Sequence, residues 1–341
     1  LVTVPRFARW SLAVAAALFA AAAALFEPAA AAPRCEISGA ERIVAIGDVH
    51  GSVDRFIDIL KAVNLVDDKA HWVGGAAHLV QLGDVVDRGP DSRAALDLLR
   101  RLEGEAEHAG GAVHALLGNH EVMRILGDLR YATAGEYAAF ATHESEMMRQ
   151  RYLQTVKSDE RDQVSQATPL GMVEMRAAFG RQGSYGEWLR KHDGVVKING
   201  VLFVHGGISP AVAAMSCETI NTSVRKELTD DIEKTRSAPL ASLAAREDGP
   251  FWYRGLAKLE ATDSAAIEGV LTQQHVRAVV IAHTVSTNGR IRMRFDGKLF
   301  EIDTGMQPAY VQGGRASALE FVGTKVSAVY ADRRDQLLDS F

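Results

Sequence analysis

Cysteine is scarce: the 341-residue chain has two, Cys35 and Cys217. That excludes a disulfide framework and a cysteine-rich zinc site. A single Cys35–Cys217 bridge, which an oxidising compartment would permit, and two free thiols both remain open. Positive charge is not in excess either. Lys and Arg number 38 against 43 Asp and Glu, a formal net charge of −5. No broad basic surface is implied, so nucleic acid is not an expected partner. There is no internal repeat and no linker long enough to separate two domains. There is also no apolar run of the ~20 residues that a membrane span needs. The Ala-rich stretch 12–26 is 15 residues long. What remains is an ordinary globular composition, 24% charged and 47% hydrophobic, which rules out a disordered or collagen-like chain.

The apolar stretch follows Arg6 and Arg9 and is broken by Glu27-Pro28, after which small residues run to Ala32. Charge, apolar run and small-residue site in that order read as a signal peptide over residues 1–32. The expectation is an exported protein, in a bacterial periplasm, with no stable membrane insertion after cleavage. An uncleaved N-terminal anchor is the alternative. Residues 33–341 then form the functional domain.

Within that domain, short apolar runs alternate with helical patterns. Residues 42–47 read as a buried strand ending at Asp48, and Ser52 offers an N-cap to a helix carrying Phe56, Ile59, Leu60 and Val63 on one face. A strand over 78–82 and a helix after Ser92, with Ala95, Leu98, Leu99 and Leu102 aligned, repeat the pattern; a third strand is predicted over 112–117. Repeated strand–helix units predict an α/β fold with right-handed crossovers. Residues 122–192, rich in Ala, Glu, Arg and Met, predict a helical insertion, either a cap over the site or a layer against a sheet. Asn199-Gly200 between 195–198 and 201–204 signals a tight hairpin, and Asp296-Gly297 a second. Further strands are predicted over 278–282, 318–322 and 326–330. The simplest architecture is two packed sheets flanked by helices.

Five predicted strands end in residues suited to metal or phosphate. They lead into Gly47-Asp48-Val49-His50-Gly51, Gly83-Asp84-Val85-Val86-Asp87-Arg88-Gly89, Gly118-Asn119-His120-Glu121, His205-Gly206-Gly207 and Ala282-His283-Thr284. Ligands collect at strand carboxyl ends in such sheets. Imidazole with carboxylate suits Zn, Fe or Mn. One shared carboxylate would give the two-metal arrangement that favours in-line phosphoryl displacement. An arginine can grip phosphate through two hydrogen bonds.

These motifs resemble the calcineurin-like metallophosphoesterases, and within them the phosphoprotein phosphatase family. The pairing of GDVVDRGPDS with the later GPFWYRG looks most like the Shewanella-like phosphatase branch. The resemblance implies a calcineurin-like β-sandwich flanked by helices and two divalent or mixed-valence metal ions (Mn, Fe or Zn). It implies that Asp48 and His50 bind the first metal, Asp84 bridges, and Asn119, His205 and His283 complete the second. His120 would be the general acid, with Asp87 holding its imidazole; Arg88, Arg254 and Asn119 would bind the phosphate. The implied reaction is hydrolysis of phosphate monoesters by direct attack of metal-bound hydroxide, on a phosphorylated protein (Ser/Thr or Tyr) or a small phosphomonoester. A phosphodiesterase or nucleotide hydrolase on the same core, and an inactive phosphate- or phosphopeptide-binding module, are the rival readings. Two departures stand out. Ile281-Ala282-His283-Thr284 replaces the Arg-Ala-His-Gln usual in the Ser/Thr branch, and Asp303-Thr304-Gly305-Met306 stands where a SAPNYC-like loop is expected. The other histidines (His71, His78, His108, His114, His143, His192 and His275) read as surface or packing residues. Met147, Met148, Met172 and Met175 read as helix packing, Arg100-Arg101 as a solvated helix end, and Asp67-Asp68 as a turn.

Overall fold

Strand β2, Arg42–Ile46, shows how the layers are built. Successive side chains of a strand point to opposite faces. Ile43 and Ala45 enter an inner apolar cluster, while Val44 and Ile46 enter a second cluster that also holds helix residues. The same alternation recurs in β6, Val201–Val204, and β7, Ala278–Ile281. Strands covered on both faces need apolar residues at every position, hence the continuous apolar runs.

The computed structural model describes residues 35–341; the signal-peptide expectation for 1–32 lies outside the described residues. Two six-stranded sheets pack face to face, as the sequence pattern predicts. In one, β2 lies beside β3, His78–Gln81, which pairs in parallel with β4, Ala112–Ala115. On its other side β2 pairs antiparallel with β10, Ser317–Val322, followed by β11, Lys325–Tyr330, and β12, Arg334–Leu338. The second sheet runs β1-β5-β6-β7-β9-β8, with β1 Glu36–Ile37, β5 Val195–Ile198, β8 Arg292–Arg294 and β9 Leu299–Glu301. Both Gly-containing hairpins form, β5/β6 and β8/β9. Inner-face residues Phe203, Phe300 and Phe321 stack edge to face, with centroids 5.8–6.2 Å apart.

Helix α1, Val53–Ala62, buries Phe56, Ile59 and Leu60; α2, Ser92–His108, buries Ala95, Leu98, Leu99 and Leu102. Ser52 occupies the N-cap position of α1, but its side chain makes no capping hydrogen bond. Six helices lie between β4 and β5: α3 Asn119–Leu126, α4 Ala134–Phe140, α5 Ser145–Gln154, α6 Arg161–Gln166, α7 Met172–Phe179 and α8 Ser184–Leu189. Phe140, Phe179 and Tyr185 hold α4, α7 and α8 together, with ring centroids 5.4–6.0 Å apart.

Several local expectations need correction. β1 and β12 went unread, because two residues give no periodicity and Arg334–Leu338 is polar. Arg100-Arg101 is not a helix end: α2 continues to His108, and Arg101 pairs with Glu105 at 2.8 Å. Met172 and Met175 pack in the core, but Met147 is exposed. Asp67 does make a turn, accepting from the backbone N–H groups of Lys69 and His71. Of the two cysteine alternatives, the bridge is present. Cys35–Cys217 ties the segment before β1 to the start of helix α9, Cys217–Leu228, across 182 residues of sequence.

Candidate active site

Parallel pairing sets strand carboxyl ends side by side. β2, β3 and β4 in one sheet and β6, β7 and β9 in the other deliver their following loops to a common edge. The expected residues Asp48, His50, Asp84, Asn119, His120, His205 and His283 meet there, none more than 6% exposed. Asp84 Oδ2 is the centre. It lies 3.2 Å from His205 Nε2 and 3.8 Å from both His50 Nε2 and His120 Nε2. Asp48 joins through His50 Nε2, at 3.8 Å, and by accepting from the His283 backbone N–H at 3.2 Å. Two groups of donor atoms share Asp84: one with His50 and His120, the other with His205 and His283.

The hydrogen bonds fix which ring nitrogens face inward. His50 Nδ1 donates to the Val86 carbonyl at 3.0 Å, and His205 Nδ1 to the Leu82 carbonyl at 2.8 Å. With Nδ1 as the donor, the neutral form of either ring would turn an Nε2 lone pair to the centre, the tautomer a metal ligand needs. His205 Nε2 also lies 3.0 Å from Asn119 Oδ1 and 3.2 Å from His283 Nδ1. His283 Nε2 is buried without a partner.

Charge follows the same geometry. Burial pushes His50 down to about 4. Burial and then the nearby His205 push His283 down to about 2. Burial, followed by the charges of Asp303 and Asp84, holds Asp48 well above the usual carboxylate range. Burial pushes Asp84 the same way, but His205, His120 and His50 outweigh it and hold Asp84 well below that range. A buried set of lone pairs and carboxylates of this kind is the chemistry of a cation site.

The backbone is bent to achieve this. His50, Asp84, Asp87, Arg88 and His283 all take positive φ, between 48° and 71°. Such residues cost of order 1–3 kcal/mol each and persist where surrounding contacts impose them. Around Asp84 those contacts come from Glu121. Its carboxylate accepts from the backbone N–H groups of Asp84 (2.7 Å), Val85 (2.8 Å) and Gly118 (2.8 Å). Glu121 therefore braces the loop bearing the central aspartate and, through the Gly118 N–H, also closes the start of α3. Gly118 is required because a Cβ there would stand 2.3 Å from Asp84 Oδ1.

His120 Nδ1 bonds Asp87 Oδ2 at 2.7 Å, leaving Nε2 toward Asp84. Burial disfavours charge on His120, but Asp84 and Asp87 prevail and raise its pKa. Asp87 is itself held by two residues that sequence reasoning missed. Arg124 bonds its Oδ1, and Glu136 accepts from the Asp87 N–H at 3.2 Å. Arg124 also pairs with Glu136 at 2.8 Å. Thr133 and Glu136 form a capping box at the start of α4. That S/T-x-x-E signal was legible as a helix start, but nothing in it announces a contact with Asp87.

Arg88 and Arg254 stand at the rim. Arg254 is exposed, and its Nη1 donates to the His283 carbonyl (2.7 Å) and Thr284 Oγ1 (3.1 Å). Trp252 lies edge-on to His283, with centroids 6.3 Å apart. Asp303, the third missed residue, follows β9 and is 1% exposed, with Oδ2 unpartnered. A signal for it existed: the run 299–302 ends in an acid, as the other site strands do.

A family-wide sequence profile described as "Calcineurin-like phosphoesterase" matches residues 41–286. The chain is 34% identical over 283 residues to an uncharacterized protein of Schizosaccharomyces pombe, covering 80% of this chain and 75% of that one. It is 31% identical over 290 residues to Shewanella-like protein phosphatase 2 of Arabidopsis thaliana, covering 80% and 73%. Among solved structures it resembles the cold-active protein-tyrosine phosphatase of a psychrophilic Shewanella species, with a TM-score of 0.70 and 26% identity over 89% of this chain and 82% of that one.

Proposed function

The chain belongs to the calcineurin-like phosphoesterases, in their Shewanella-like phosphatase branch, and we propose that it hydrolyses phosphate monoesters, phosphorylated proteins among them. Enzymes of this family are metal-dependent hydrolases; the substrate and the residue roles are our reading. The observation that carries it is the His120–Asp87 pair directed at a shared carboxylate, Asp84, within a cluster of lone pairs.

The donor set fits metal. Asn119 Oδ1 and His283 Nδ1 lie 3.0 and 3.2 Å from His205 Nε2, and the carboxylates of Asp48, Asp84 and Asp303 crowd the same buried space, an oxygen and imidazole donor set that a divalent cation would satisfy. Asp48, His50, Asp84, Asn119, His205 and His283 would hold two divalent ions, Asp84 being common to both. Such ions supply charge neutralisation at the phosphoryl group and a more acidic water.

The chain's own residues do the rest. Arg88 and Arg254 bind phosphoryl oxygens, and the Asn119 amide adds a donor. Arg254 is pre-oriented by its bonds to the His283 carbonyl and Thr284. Asp87 keeps a proton on His120 Nδ1 and favours the imidazolium, so Nε2 carries the proton that the leaving alkoxide requires. Glu136 and Arg124 keep Asp87 in place.

We also propose that the protein is exported. Support comes from the Cys35–Cys217 bridge, which belongs to an oxidising compartment. Among the described residues no helix is long and apolar enough to cross a membrane.

The test is purified protein with added Mn²⁺, assayed on p-nitrophenyl phosphate, phosphotyrosine and phosphoserine peptides, and a bis-ester. Release of phosphate from monoesters is expected. Cleavage of the bis-ester alone, or phosphate binding without turnover, would overturn the reading.

A further inference from the structure

Arg88 is a cation without an anion. Among the described residues its guanidinium makes no ion pair, and its Nε is buried without a hydrogen-bond partner. It is held instead by two aromatic rings. Tyr131 lies 3.9 Å and Tyr310 4.3 Å from Arg88 Cζ, ring centroid to carbon. The rings reach it from separate segments, Tyr131 after α3 and Tyr310 after β9. Each also touches a histidine of the site: Tyr131 packs on His120 at 5.2 Å and Tyr310 edge-on to His50 at 5.5 Å. The Tyr131 carbonyl accepts from the Arg88 backbone N–H at 3.1 Å. Gln307, three residues before Tyr310, donates to the His50 carbonyl at 3.1 Å.

We propose that Tyr131 and Tyr310 are positioning residues: an aromatic clamp that fixes Arg88 for phosphate while leaving its charge and its N–H edges free. The proposal rests on the reading of Arg88 as a phosphate ligand. The physical argument concerns which part of the guanidinium is used. A carboxylate partner would order the side chain but would occupy the same N–H edges that phosphate needs, and would cancel the charge. Rings act on the planar faces and leave the edges open. Arginine otherwise loses considerable rotamer freedom when it grips a ligand; stacking removes that loss beforehand.

The experiment is a mutant cycle. Tyr310→Leu and, separately, Tyr131→Leu should lower kcat/KM on p-nitrophenyl phosphate by about 5- to 30-fold, the range of a partly desolvated cation–π contact. The dissociation constant of inorganic phosphate, read by calorimetry on the Mn²⁺-loaded protein, should rise by a similar factor. Tyr310→Phe keeps the ring and should lose less than about three-fold. In an Arg88→Ala background, Tyr310→Leu should cost nothing further. The proposal is overturned if the Leu variants bind phosphate as wild type does, if Phe is as poor as Leu, or if the loss persists without Arg88. Melting temperatures identify a variant that has failed to fold, and the two tyrosines provide independent variants. Phosphate calorimetry reads the clamp even if the chain turns nothing over, so the clamp and the hydrolase reading fail separately.

Discussion

At the scale of single residues the site is a problem of charge. Asp48, Asp84 and Asp303 crowd one another in a buried space, and burial together with Asp303 and Asp84 raises Asp48. Asp303→Asn should remove repulsion from the metal-free protein and raise its melting temperature by roughly 2–4 °C, about 1 kcal/mol. The same change should shrink the stabilisation gained on adding Mn²⁺. Calorimetric melts with EDTA and with Mn²⁺ check both, and a lower apo melting temperature with an undiminished Mn²⁺ gain would contradict the account. His120→Asn should leave metal content unchanged and slow alkyl phosphate hydrolysis by ~10²–10⁴-fold. The effect should be smaller for p-nitrophenyl phosphate, whose leaving group needs little protonation; equal slowing of both would remove His120 from the acid role. The residues at strand ends were legible because each motif carries its own chemistry. Arg124, Glu136, Tyr131 and Tyr310 were not, because each acts through a neighbour remote in sequence.

At the scale of elements, parallel strands β3 and β4 place His78 and His114 in contact. His78 Nδ1 and His114 Nε2 are 3.0 Å apart and their rings stack at 5.3 Å. Burial, then the His78 charge, pushes His114 down to about 4, and burial lowers His78 as well. Glu103, facing from α2, opposes this only weakly. The unfolded chain therefore binds protons first as pH falls from the ordinary histidine range near 6.5 to about 4, and stability is lost through that window. His114→Gln retains a hydrogen-bonding side chain without a titrating ring. Relative to wild type, its melting temperature should rise by roughly 2–4 °C between pH 7 and pH 4.5, in EDTA so that the site histidines contribute equally. A constant difference across that range would mean that His114 does not titrate against folding. Element types were read well where periodicity was long, as in α1 and α2. They were missed where a strand was two residues or polar, because β1 and β12 form by pairing with a neighbour rather than by their own pattern.

At the scale of the whole molecule, the Cys35–Cys217 bridge closes a loop of 182 residues. Crosslinks over long loops restrict the unfolded chain most, so the Cys35→Ala/Cys217→Ala protein should be about 2–5 kcal/mol less stable. Reductant should lower the wild-type melting temperature toward that of the variant and leave the variant unmoved. Equal melting temperatures for all three would show that the bridge contributes nothing. By itself, the sequence determined the sandwich, its strand-end motifs and the identity of the groups that could bind metal and phosphate, because periodicity and local chemistry are written in adjacent residues. Only tertiary structure decided that the cysteines pair, that Asp303 joins the acidic centre from a sixth strand, that Glu121 braces the central loop, and that two tyrosines enclose Arg88. Those contacts depend on sheet order and on how two sheets meet, which no local pattern encodes.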